Sequence, residues 1–112
     1  MYLPGGTIAR MKREEKLTLD QTERSARVLQ ALAHPLRLGI MQELMEGSLT
    51  CSQIQERFGC AQSTLSLQLK LLVDQGLVAT HKVGTVKYCS IRNTDFLKLF
   101  TCLRRHLTEV MR

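Results

Sequence analysis

The stretch TCSQIQERFGCAQSTLSLQLKLLVDQG, residues 50–76, decides the fold. Thr50 followed three residues later by Gln53 is typical of a capping box at the start of a helix. Gly59 is suited to end this short helix, and a second helix is predicted from about Gln62 to Gln75. Its apolar residues recur at i, i+4, i+7 and i+8, on one helical face. They are Leu65, Leu69, Leu72 and Val73. The stretch therefore predicts two short helices joined by a tight turn.

Downstream of this pair, two β-rich runs flank Val83-Gly84, and they predict a hairpin. The runs are Leu77 to Lys82 and Thr85 to Ile91. A last helix is expected to follow, capped by Asn93 or Thr94 and continuing to about Met111. Its apolar stripe consists of Phe96, Phe100, Leu103, Leu107 and Val110.

Two more helices are predicted upstream. Asp20 with Glu23 is a capping box that would start a first helix running through Ala33. Pro35 suits the first turn of a second helix, which ends near Glu46. The predicted stripes are Ala26, Leu29 and Ala33 on the first helix, and Leu36, Ile40, Leu44 and Met45 on the second. The whole pattern predicts a mainly α fold with a β-hairpin wing. This is a winged helix-turn-helix of five or six helices over residues 20–112, preceded by a mobile arm, residues 1–19.

Composition restricts the function classes. The 112 residues form one domain, and no apolar run reaches the roughly 20 residues of a membrane helix. Aromatic residues make up 4%, too few for a platform that stacks single-stranded bases. We see no nucleophile–base arrangement, so an enzyme is not expected. The first residues lack a signal pattern, and we expect a cytoplasmic protein with four reduced cysteines.

The net charge of +6 is unevenly distributed. Residues 77–94 carry a net charge of +3 and residues 95–112 a net charge of +2, whereas residues 50–76 are neutral. The surplus favours a polyanionic partner. Electrostatic attraction to such a partner is therefore expected from the hairpin and the last helix, and not from the helix pair of residues 50–76.

Several strings together closely resemble the ArsR/SmtB family of bacterial metal- and thiol-responsive repressors. They are LQALAHPLRL at residues 29–38, residues 49–59, QSTLS at residues 62–66, LKLL at residues 69–72 and GLV at residues 76–78. The resemblance covers about residues 22–112. It implies a homodimer formed through the first and last helices, which binds a palindromic double-stranded operator and is released by an inducer.

The family places its DNA contacts at the start of the helix beginning near Gln62. On that pattern Gln62, Ser63, Thr64, Ser66 and Gln68 are candidate DNA-binding residues, since Gln can read adenine and Ser or Thr can contact bases or phosphates. Two of these residues have an alternative role that stays open. Ser63 would substitute for the N-cap that Ala61 does not supply, and Thr64 would hydrogen-bond to the local backbone at the helix start. Leu67 stands where the family commonly has a polar or basic residue, so the reading helix is neutral.

Lys82 and Lys87 are candidate phosphate contacts, with His81 and Arg92 as further members. Three bases without an acid in one hairpin favour phosphate binding. The alternative is an ordinary solvated hairpin.

Zinc sensors of the family keep acidic and histidine ligands on the last helix. Asn93, Asp95, His106 and Glu109 align with those ligands. Asp95, His106 and Glu109 keep the spacing, and across an antiparallel helix pair they would form a zinc site or a site for another divalent metal. The alternative is that Asp95 starts the helix and that His106 and Glu109 are solvated.

The thiol patterns of the family are incomplete. Thr50 and Ser52 occupy the positions of the paired thiols of arsenic and cadmium sensors, and Met41 and Thr108 align with the cysteines of persulfide sensors. Cys51, at a helix N-terminus, and Cys102, on the last helix, are the candidate thiol sensors. The alternative for Cys102 is a small buried hydrophobe, and we expect Cys89 to be a packing residue.

The favoured function is therefore a sequence-specific DNA-binding regulator, a dimeric repressor released by a metal ion or a thiol-reactive inducer. One alternative is a repressor without an inducer site. Another is a winged-helix protein-interaction module that no longer binds DNA, which the neutral helix with Leu67 would favour.

Overall fold

A computed structural model describes residues 10–111. It has five α-helices and a three-stranded antiparallel sheet, in the order helix, helix, strand, helix, helix, hairpin, helix. The elements are α1 (Leu19–Leu32), α2 (Pro35–Met45), β1 (Leu49–Thr50), α3 (Cys51–Phe58), α4 (Gln62–Asp74), β2 (Val78–Val83), β3 (Val86–Ile91) and α5 (Leu97–Val110). This is the predicted winged helix-turn-helix with five helices. The hairpin β2–β3 is called the wing below.

The local signals in residues 50–76 are confirmed. The Gln53 N–H donates to Thr50 Oγ1 at 3.1 Å, and the Thr50 N–H donates to Gln53 Oε1 at 2.8 Å. Gly59 ends α3 in the left-handed conformation, at φ 61°, a conformation that costs glycine little. Pro35 is the first residue of α2, where its missing N–H is no loss.

The predicted start of α1 at Asp20 is wrong. Thr18 is the cap, and it forms a capping box with Gln21 in which the Gln21 N–H donates to Thr18 Oγ1 at 3.1 Å. Asp20 instead lies inside the helix and pairs with Arg24 at 3.0 Å. Two overlapping capping patterns compete in this segment, and the earlier one adds two residues, Leu19 and Asp20, to the helix. The predicted arm, residues 1–19, lies partly outside the described residues.

The sheet contains a strand that the sequence analysis missed. β1 pairs antiparallel with β3, with Leu49 opposite Cys89 and Thr50 opposite Tyr88. In the wing, the register runs from Val78 opposite Ile91 to Val83 opposite Val86. The turn is therefore Gly84-Thr85, one residue later than predicted, with Gly84 at φ 62°.

The core lies between α2, α3, α4 and the sheet. Its fully buried side chains are Ile40, Met41, Ile54, Leu65, Leu72, Leu77, Val78 and Cys89. The predicted α1 stripe lies outside this core, because Ala31 and Leu32 are the buried residues of α1 while Leu29 is 55% exposed. No helix within residues 10–111 is both long and apolar enough to span a bilayer.

The last helix begins later than expected. Asn93 Oδ1 accepts the Asp95 N–H at 2.9 Å and caps a 3-10 turn, Thr94–Phe96, which leads into α5. Phe96 and Phe100 pack against the core, but the outer part of the apolar stripe is exposed. Leu103, Leu107 and Val110 are its exposed members. The stripe therefore continues beyond the core of a single chain.

Close packing of α2 on α3 gives a stability prediction. A Cβ added at Gly39 in α2 would lie 2.7 Å from Phe58 Cε1. Alanine in a helix interior gains about 1 kcal/mol over glycine, but overpacking costs about 1–3 kcal/mol. We expect Gly39→Ala to raise the free energy of unfolding by about 1 kcal/mol in a Phe58→Ala background and to give no gain in the natural chain. Urea denaturation at one protein concentration measures both free energies of unfolding. Equal gains in the natural and the Phe58→Ala backgrounds would show that Phe58 does not restrict a side chain at position 39.

Candidate nucleic-acid interface

The first turns of α4 present a polar surface on an apolar anchor. Leu65 and Leu69 are buried and hold the helix on the core. The polar side chains on the other side of these turns are exposed: Gln62, Ser63, Thr64 and Ser66. No side chain caps α4, because its N-cap residue is Ala61. Its first N–H groups therefore lack a side-chain acceptor.

The wing carries two lysines at directly opposed positions. Lys82 and Lys87 pair across β2 and β3, and both are exposed. Like charges directly opposite each other on a sheet are destabilising unless an anion neutralises them. Next to them, the rings of His81 and Tyr88 stack with centroids 5.4 Å apart, which supports this part of the wing. The wing tip is therefore a site of concentrated positive charge.

A cleft of about 520 Å³ lies between α4 and the wing. Gln62 and Ser66 line it from α4, and Lys82 and Lys87 line it from the wing. We call it the α4–wing cleft. The fold thus brings together four of the predicted DNA-binding residues from two separate parts of the sequence. Ser63 and Thr64 are exposed but are not among its lining residues.

Gln68 is placed differently from the other candidates. It is half-buried, and its Oε1 accepts a hydrogen bond from Arg37 Nη1 at 2.6 Å. Bidentate reading of adenine needs both the oxygen and the amide nitrogen of a glutamine. Such reading by Gln68 would therefore require release of Arg37.

Arg37 is a residue that the sequence analysis missed. Its Nε donates to the Ala31 carbonyl at 2.5 Å and its Nη2 to the Gln30 carbonyl at 3.4 Å. The side chain therefore joins the C-terminal end of α1 to α4. An arginine within the apolar string LAHPLRL was the available signal, because a charge among apolar helix positions needs partners.

The three metal candidates do not converge within one chain. Asp95 lies in the 3-10 turn before α5, and its carboxylate is 3.8 Å from Lys98 Nζ. His106 and Glu109 are exposed near the other end of α5, about 16 Å and about 21 Å from Asp95 along the helix at 1.5 Å per residue. Across residues 10–111, no group of three His, Cys, Asp or Glu side chains is arranged to hold a metal ion. Any zinc site would need ligands from a second chain.

The two thiol candidates are far from equivalent. Cys102 is exposed on α5, so the alternative of a buried hydrophobe does not hold in the single chain. Cys51 is half-exposed and lines the α4–wing cleft. Its Sγ lies 3.7 Å from the Sγ of buried Cys89 on β3, a contact that the sequence analysis did not foresee. The residues are 38 positions apart, and β1, which brings them together, was not predicted.

Comparison with known proteins places this geometry in a family. A family model described as a helix-turn-helix domain matches residues 32–81. The transcriptional repressor SmtB homolog of Synechocystis is 31% identical over 100 residues, which cover 89% of this chain and 76% of that protein. The chain belongs to the ArsR/SmtB family.

Two other relatives agree with this family assignment. The arsenical resistance operon repressor of Staphylococcus xylosus is 40% identical to the ArsR/SmtB chain over 70 residues, covering 62% of the chain and 66% of the repressor. A homodimeric winged helix-turn-helix DNA-binding domain from Mycobacterium bovis, a possible ArsR-family regulator, superposes with a TM-score of 0.74 at 28% identity. That superposition covers 97% of this chain and 94% of the domain.

The Arg37–Gln68 hydrogen bond predicts different roles for two glutamines of this ArsR/SmtB chain. Gln68→Ala removes a partner of a half-buried guanidinium, so we expect it to lower the free energy of unfolding by about 1.5 kcal/mol. Gln62→Ala, at an exposed position, is the matched control and should change stability by less than about 0.5 kcal/mol. Urea denaturation of both variants measures this. Equal stabilities would show that the hydrogen bond contributes nothing.

Proposed function

We propose that this chain is a homodimeric repressor that binds double-stranded operator DNA through α4 and the wing, in the cytoplasm. The observation that supports the proposal best is the α4–wing cleft. Hydrogen-bonding side chains line one wall of it, and two exposed positive charges line the other. A major groove about 12 Å wide admits a helix, so α4 would enter the groove while the wing lies along the phosphates.

The two walls have separate tasks in this proposal. Gln62 and Ser66 carry no charge, so they contribute selectivity through hydrogen bonds to base edges. Ser63 and Thr64, exposed on the same turns, would contact bases or phosphates beside them. Lys82 and Lys87 would supply salt-dependent affinity that is independent of sequence.

The dimer is proposed from the uncovered apolar side chains of α5. Leu103, Leu107 and Val110 are 40%, 51% and 65% exposed. A groove of about 670 Å³ beside them, between α2 and α5, is lined by Leu38 and Phe100 among others. These three positions are spaced i, i+4 and i+7 on one helical face, and a contiguous exposed apolar patch marks an association surface. The homodimeric Mycobacterium bovis domain has the same fold, which supports a dimer here.

The proposed division of tasks predicts the salt dependence of DNA binding. The Lys82→Ala/Lys87→Ala variant should lose affinity for operator and random DNA by the same factor. Its plot of log affinity against log salt should be shallower by about 0.9 for each phosphate that the wing no longer neutralises. Fluorescence anisotropy with the DNA upstream of the gene and with a shuffled duplex measures both quantities.

Two control variants sharpen this experiment. Lys98→Ala removes the same kind of charge from α5, 86% exposed and outside the cleft, and should leave the slope unchanged. Gln62→Ala should reduce the preference for operator over shuffled DNA without changing the slope. If the natural chain shows no sequence-dependent binding at moderate salt, the protein-interaction module is favoured over the repressor.

A divalent metal is the inducer that the resemblance favours, and the proposal places its ligands across the dimer. Asp95 of one chain would join His106 and Glu109 of the other, with zinc as the first metal to try. In a zinc titration of the metal-free, reduced dimer, His106→Ala should weaken binding at least about tenfold. His81→Ala, which removes an exposed histidine of the wing, is the matched control. Unchanged zinc binding in His106→Ala would exclude the last-helix site and leave a thiol-reactive inducer or none.

A further inference from the structure

Two thiols meet where the helix-turn-helix joins the wing. Cys51 is the first residue of α3 and Cys89 lies in β3, and their Sγ atoms are 3.7 Å apart. The pairing of β1 with β3 creates this contact, because Leu49 lies opposite Cys89, two residues before Cys51. Of the four cysteines, all within residues 10–111, these two are the pair in sulfur–sulfur contact.

The two thiols differ in how they meet solvent. Cys51 is half-exposed and lines the α4–wing cleft, so a small molecule that enters the cleft meets this residue. Cys89 is fully buried behind it. Burial raises the pKa of Cys89 to about 12, and the neighbouring Cys51 adds to the shift. Cys89 is therefore a protonated thiol at neutral pH, and Cys51 is the sulfur that an oxidant meets first.

We propose that Cys51 and Cys89 are a modification site, at which a hydroperoxide converts the two thiols into a disulfide. The Cys51 sulfur releases its proton and attacks the outer oxygen of the hydroperoxide, forming a sulfenic acid. The O–O bond breaks, and the other oxygen takes that proton and leaves as an alcohol or water. The Cys89 sulfur then attacks the Cys51 sulfur. The S–O bond breaks, and its hydroxyl leaves with the Cys89 proton as water.

This sequence of steps balances. The two thiols give up two electrons and two protons, and one hydroperoxide is reduced to an alcohol and water, or to two waters from hydrogen peroxide. The sulfurs have to approach from 3.7 Å to about 2.05 Å. Cys60 is a less suitable partner for Cys51, because at 1.5 Å per residue their backbones lie more than about 10 Å apart.

The disulfide would act on the cleft that the proposed function uses. Cys51 and Thr50 line the α4–wing cleft together with Lys82 and Lys87. We expect the bond to draw the start of α3 toward β3 and so to change the position of the wing relative to α4. The oxidised dimer should therefore bind operator DNA more weakly, by about 5- to 150-fold, the usual range for coupled sites. This consequence rests on the proposed function, whereas formation of the disulfide does not.

Peptide mapping of the oxidised dimer tests the proposal. The reduced protein is treated with hydrogen peroxide, free thiols are alkylated, and the digest is analysed by mass spectrometry without reductant. We expect a peptide that links Cys51 to Cys89, with a loss of two hydrogens per chain. A Cys60→Ser/Cys102→Ser variant, which keeps just the proposed pair, should give the same link. Cys51→Ser, at a half-exposed position, should give no intrachain link.

The outcomes separate this inference from the proposed function. Cys51 that stops at sulfinic acid, or that links to Cys60 or Cys102, overturns the proposal. If the Cys51–Cys89 disulfide forms but operator affinity is the same before oxidation, after oxidation and after reduction with dithiothreitol, the proposed effect on DNA binding is overturned. Reduced protein that fails to bind operator contradicts the proposed function, while the peptide map still decides the disulfide.

Discussion

Backbone pairing of Leu49 and Thr50 with β3 is the constraint on which the site depends. Thr50 takes part in this pairing and at the same time caps α3 through the Gln53 N–H. One residue thereby fixes both the wing and the start of the helix-turn-helix. Ile54 and Leu65, fully buried on α3 and α4, hold the two helices on the same core. These contacts fix the wing to the start of the helix-turn-helix and thereby contribute to the width of the α4–wing cleft.

Charge and hydrogen bonding are divided between the walls of the cleft. The lysines of the wing face each other across the strands, and α4 presents amide and hydroxyl groups. A protein that binds DNA this way gains affinity from counterion release and selectivity from base edges. Arg37 adds a third element, because it connects the end of α1 with Gln68 on α4. A change at a dimer interface that includes α1 would thus reach α4 through one side chain.

Much of the fold could be predicted because its signals are local. Pro35, the Thr50–Gln53 capping box and Gly59 each specify a helix end within four residues. The start of α1 was misplaced because Thr18–Gln21 and Asp20–Glu23 are equally good capping boxes. β1 has two residues and exists through pairing with a strand about 40 positions away, so no periodicity reveals it. The Arg37–Gln68 hydrogen bond and the Cys51–Cys89 contact also depend on tertiary structure. The sequence could therefore name candidate site residues, but it could not predict the contacts of Gln68 and Cys89.

The central claim is that α4 and the wing form one DNA-binding surface. Backbone amide chemical-shift mapping of the reduced protein, titrated with a short duplex from the DNA upstream of its gene, tests it most directly. We expect the largest changes to fall together on Gln62, Ser66, Lys82 and Lys87, at the same protein-to-DNA ratio. Changes confined to α4 with an unperturbed wing, or changes elsewhere that leave the α4–wing cleft silent, would contradict it.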